Sequence, residues 1–154
     1  MSRTETLLMV ADSERDADML YATGLFVPDP FIYLRRQGRP ILVMSDLEID
    51  RARKQAPHCR VVSLGDYQAK LRRNGVKSSG FAQVIREILR EQKVSRVMVP
   101  AHFPLGLARE LKKIGIKAKH RNGNFFPERE LKSADEVKKL SAALMMDGIG
   151  RASC

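Results

Sequence analysis

The sequence predicts an α/β domain of three layers, α/β/α, with a mixed sheet in the middle. Three observations predict it. From residue 46 onward, helical patterns and short apolar runs alternate, as strands joined by crossover helices do. Residues 31–45, FIYLRRQGRPILVMS, read instead as a hairpin, which puts antiparallel strands into the same sheet. The chain has 154 residues, 44% hydrophobic and 30% charged, enough for one domain with its own core.

The elements follow in order. TLLMVA (6–11) is a short buried strand, and ADMLYATGL (17–25) fits a turn of helix running into a strand that ends at Gly24. FVPDP is a loop, because Pro28 and Pro30 remove ladder donors. The hairpin turns at Gln37-Gly38, with Pro40 at the start of its second strand. DLEIDRARKQA (46–56) has helical composition, with Asp46 or Ser45 as its cap. RVVSL (60–64) is a strand, and GDYQAKLRRNG a brief helix closed by Asn74-Gly75. SSGFAQVIREILREQKV gives the cleanest helix, since Phe81, Val84, Ile85, Ile88 and Leu89 form one apolar face. RVMVPA (96–101) is a strand, PLGLARELKKIG a helix stopped by Gly115, and IKAKH a further strand. A last helix starts at Ser133, with Glu136 placed for a capping box and Val137, Leu140 and Leu144 on one stripe.

Bulk properties narrow the function. The two cysteines, Cys59 and Cys154, form neither a disulfide framework nor a zinc spacing, which fits a reducing, cytoplasmic compartment. The apolar run LLMVA is too short for a signal-peptide core and is followed by the acidic DSERDAD, so no membrane segment is expected. The formal charge is +10. Its basic runs, KLRRNGVK and ARELKKIGIKAKHR, contain no interleaved aromatics and so no stacking platform. Nucleic acid is therefore not the expected partner, and a solvated face or a face meeting an acidic domain explains the charge better.

No catalytic constellation stands out. His102, in AHFPLG, lies where a strand ends and a helix begins, a place for ligand contacts or for a bond to loop backbone. His58 and His120 sit in polar surroundings, as surface residues do. Cys59 neighbours His58, but adjacent residues of a strand point to opposite faces. Asp12 and Asp46 each follow a strand, where paired carboxylates could hold magnesium in a ribonuclease-H-like sheet; capping or turn formation explains each more simply. Phosphate-binding glycine loops are missing.

Two segments carry a resemblance. Tyr21, Thr23 and Gly24 look like a Tyr-x-Thr-Gly segment, and Arg129, Lys132, Ser133 and Glu136 look like an Arg-x-x-Lys-Ser-x-x-Glu junction. In this order and spacing, with FIYLRRQGRPILVMSDLEIDRARK between them, the chain resembles the N-terminal domain of the creatinase/prolidase/Xaa-Pro aminopeptidase (M24) family. The resemblance implies a ribonuclease-H-like domain over 1–130, and over 131–154 the capped helix that leads toward a catalytic domain absent from this chain. It implies a domain without catalytic or metal residues of its own, serving dimerisation and the covering of an active-site mouth. The pair of divalent metals, manganese, cobalt or zinc, would belong to the absent domain, and proline-containing peptides to the parent protein. The loop LFVPDP makes Phe26 and Asp29 the candidate contacts to a partner's active site, with Phe26 packing in its own core as the competing reading. Tyr21 is expected in the core and Gly24 at a turn with positive φ. The alternative to all of this is a free-standing basic module that binds an acidic protein or nucleic acid.

Overall fold

The computed structural model describes residues 5–128. The final helix from Ser133 and the junction residues Arg129, Lys132, Ser133 and Glu136 lie outside them. Six strands and five helices run in the order β1 (Leu7–Ala11), α1 (Ala17–Thr23), β2 (Phe31–Arg35), β3 (Ile41–Met44), α2 (Ile49–Gln55), β4 (Arg60–Ser63), α3 (Leu64–Arg73), α4 (Phe81–Glu91), β5 (Arg96–Val99), α5 (Leu105–Lys113) and β6 (Lys117–His120). The strands form one sheet in the order β4-β3-β2-β1-β5-β6. β2 is antiparallel to both neighbours, and every other pairing is parallel, so the sheet is mixed as the hairpin requires.

Alternation along the central strands sends side chains into two cores. Leu8, Val10, Ile32, Leu34, Ile41 and Val43 meet α3, α4 and α5, whose Leu71, Val84, Ile85, Ile88, Leu89 and Leu111 are all buried. Leu7, Met9, Tyr33, Leu42 and Met44 meet Met19 of α1, Ala52 of α2, and the pair Phe125-Phe126 that follows β6. The helix predicted from Phe81, Val84, Ile85, Ile88 and Leu89 presents that face to the first core, with Phe81 at its margin.

Four local expectations are corrected. Residues 17–25 contain a helix and no strand: Asp16 caps α1 by accepting from the Met19 amide, and Gly24 ends it in the left-handed region at φ 70°. Neither Ser45 nor Asp46 caps α2, which starts after Glu48 without a side-chain cap. The Asp46 carboxylate accepts instead from the Ser63 hydroxyl at 2.6 Å. Ser63 in turn caps α3, which begins directly at the end of β4 and is longer than the brief helix expected. Tyr21 is not a core residue: it is 36% exposed, its ring tilted on buried Phe126 at 5.6 Å.

Candidate functional site

β1 and β5 lie side by side and parallel, and the chain leaves their carboxyl ends toward opposite faces of the sheet. From β1 it passes to α1, under one core, and from β5 to α5, over the other. A crevice outside such strand ends is where open α/β sheets take ligands. Here it is a cleft of about 600 Å³, lined by Asp12, Arg15, Asp16, Asp18, Pro30 and His102, among others.

Local geometry positions each of these groups. Asp12 holds the turn after β1 by accepting from the Arg15 amide at 2.9 Å. Asp16 uses one oxygen for the Met19 amide, 2.9 Å away, and the other for the Nε2 of His102, 2.6 Å away. The Asp16 side chain is 8% exposed and that of His102 is 59% exposed, so a nearly buried carboxylate orients a ring that stands in solvent. This corrects the expected bond from His102 to loop backbone. Asp18 adds a carboxylate, and ligand atoms of Asp16, Asp18 and His102 all lie within 4.8 Å of one another.

Two chemistries are open to such a group, and the surroundings limit both. An aspartate–histidine pair can move a proton. Yet the cleft is lined by no serine, threonine, cysteine or lysine that the pair could activate. The nearby Ser13 is buried, and its hydroxyl accepts from the Val27 amide at 2.7 Å. Two carboxylates and an imidazole could also bind one cation. One ligand atom from each of three side chains, all within 4.8 Å of one another, suits a single ion and does not fit the metal pair that the family resemblance assigns to an absent domain.

The predicted contact residues lie close by in the chain but outside this group. Phe26 is 55% exposed, so it does not pack in its own core. Its neighbours Leu25 and Val27 are buried, and Ser13 and Glu14 both donate their amides to the Val27 carbonyl, which pins the loop beneath Phe26. Asp29 is exposed as well. Of this loop, Pro30 reaches the cleft lining. Thr23, buried, donates to the Met19 carbonyl and accepts from the Leu25 amide, which explains why a threonine precedes Gly24. His58 is exposed and bonds the Ala22 carbonyl at 2.9 Å, while exposed His120 meets Asn122 at 3.1 Å. Asp12 and Asp46 are thus both engaged in local structure. The Asp16–Asp18–His102 grouping escaped sequence reasoning because 86 positions separate Asp16 from His102. The strand-end position of His102 was its one legible part.

No family model matches the chain, and no curated protein matches it in sequence. Its fold is similar to that of the X-Pro aminopeptidase from Thermotoga maritima MSB8, with a TM-score of 0.58 and 16% identity over 89% of this chain and 33% of that one. It is similar also to an aminopeptidase P, a Xaa-Pro aminopeptidase, from Streptococcus thermophilus (TM-score 0.56, 11% identity, 77% of this chain and 80% of that one). A proline dipeptidase from Streptococcus pneumoniae TIGR4 gives a TM-score of 0.55 at 16% identity, over 86% of this chain and 88% of that one. The chain therefore spans about a third of the Thermotoga protein and most of each streptococcal chain. At these identities the likeness establishes the fold.

Proposed function

We propose that this chain is the non-catalytic N-terminal domain of a Xaa-Pro peptidase-like metallohydrolase, cytoplasmic and dimeric, that covers the mouth of an active site held elsewhere. The observation that carries the reading is coverage: the likeness takes in 89% of this chain but only 33% of the Thermotoga aminopeptidase. The remaining two thirds of such a protein would then supply the chemistry. In this reading Phe26 and Asp29 face a partner's substrate, and Arg129, Lys132, Ser133 and Glu136 form the junction to the catalytic domain. That domain would hold a pair of manganese, cobalt or zinc ions, which would act as Lewis acids on the peptide bond before proline.

The test is an assay of the chain alone with a Xaa-Pro dipeptide and manganese. No proline should be released. Robust release would place an active site within these 154 residues and overturn the reading. The alternative, a basic binding module, is favoured by one feature of the surface, the half of the sheet that no helix among the described residues covers on one face.

A further inference from the structure

Parallel strands are ordinarily covered on both faces. Among the described residues β5 and β6 are covered on one. Val97 and Val99 are buried against α4 and α5, with Ala118 packed beside them. The opposite core ends at β1: none of its fully buried residues comes from β5 or β6, and Met98 only packs against its edge. Beyond that edge the outward residues are Arg96, Lys117 and Lys119, all exposed, around half-buried Met98.

The charges are placed without compensation. Register sets Arg96 opposite Lys117 and Met98 opposite Lys119. Like charges held side by side on neighbouring strands repel each other. None of the ion pairs among the described residues involves Arg96, Lys117 or Lys119. The one acid in the same depression, Glu5, already pairs with Arg121 at 2.7 Å. The result, among the described residues, is a cationic rim without an ion-pair partner around a methionine, on a depression of about 480 Å³.

We propose that this half-face docks an acidic protein surface with an apolar residue at its centre. Carboxylates would relieve the Arg96–Lys117 repulsion, and the apolar residue would cover Met98. A nucleic acid fits less well, because no aromatic side chain lines the depression to stack a base. The occupant is a separate acidic protein, so the surface does not depend on the peptidase reading.

The probe is a short peptide with central leucines flanked by glutamates. An all-glutamate peptide and a single-stranded DNA of equal charge serve as comparisons. Binding is read by fluorescence anisotropy at physiological salt, and its location by amide shifts. The leucine-containing peptide should bind tightest and shift residues 96–98 and 117–119. The exposed triple variant R96A/K117A/K119A should weaken it about tenfold. R72A/R73A/K77A, which removes three exposed cations around α3, should leave it within about twofold. Tighter binding of DNA, equal binding of the all-glutamate peptide, shifts elsewhere, or equal losses in the two triple variants would each overturn the proposal.

Discussion

Strands β1, β2 and β3 are buried on both faces, whereas among the described residues β5 is buried on one face and β6 packs there only through half-buried Ala118. The same sheet thus contains a half that is all interior and a half that is packed on one side and cationic on the other. The sequences differ accordingly: LLMV, FIYL and ILVM are continuous apolar runs, while RVMV opens on a cation and KAKH alternates. The first half should hold the fold together, and the second should be free to meet a partner.

The strongest way to break that contrast is to truncate one residue from each half. Leu34 is fully buried in β2, and Leu34→Ala should cost about 3–4 kcal/mol, from lost burial and the cavity left behind. Lys119→Ala in β6 should change stability by less than about 0.5 kcal/mol. Urea unfolding of both variants measures the difference. Equal losses would mean that the outer half is as integral to the core as the inner.

A second, smaller contrast is in pH dependence. Burial pushes the Cys59 thiol up to about 11, against the pull of the Arg39 guanidinium, and the Tyr33 phenol up to about 12, against Arg35. Both lie in the core beneath α1 and α2. The sign follows from proton binding: between its ordinary pKa of 9.0 and its folded value of about 11, the thiol ionises in the unfolded chain but stays protonated in the fold. Stability from this group is complete below pH 9 and is lost as pH rises toward 11, by about 2 kcal/mol. Tyr33 continues the loss above pH 10. Urea midpoints taken from pH 8 to 11 should fall less steeply in Cys59→Ala. An unchanged slope would mean that the thiol is open to water.

The strands of both halves were legible. β1–β3 read from apolar runs, β5 and β6 from RVMVPA and IKAKH, and α4 from one five-residue face, because burial on a regular element imposes a period on the sequence. What escaped was set by contacts between distant segments. Asp46 looks like a helix cap by position, but Ser63 from β4 claims its carboxylate. Phe125 and Phe126, in a stretch without a periodic pattern, close the core over β1–β3. Tyr21 and Phe26 are aromatic and were weighed as core residues, yet α1 and the loop after Gly24 turn them outward. The alternation in KAKH marks a strand packed on one side, and the sheet order places it at the edge, beside β5. For the candidate site, His102 was readable as a strand-end residue; Asp16 and its meeting with His102 were not.

That meeting spans the two halves, and it gives the subtlest test of the contrast. Asp16 belongs to α1, on the inner side, and His102 follows β5. Asp16→Ala removes the cap of α1 and leaves the Met19 amide without its acceptor, so it should cost about 1 kcal/mol. His102→Ala removes an exposed ring whose bond to Asp16 is open to water and salt, so it should cost less than about 0.5 kcal/mol. The double variant should then behave like Asp16→Ala alone to within about 0.5 kcal/mol. Unfolding of the two single variants and the double in urea closes the cycle. A coupling well above that figure would mean that the Asp16–His102 bond ties the outer half to the inner, and the cleft between β1 and β5 would then be a structural seam rather than an open site.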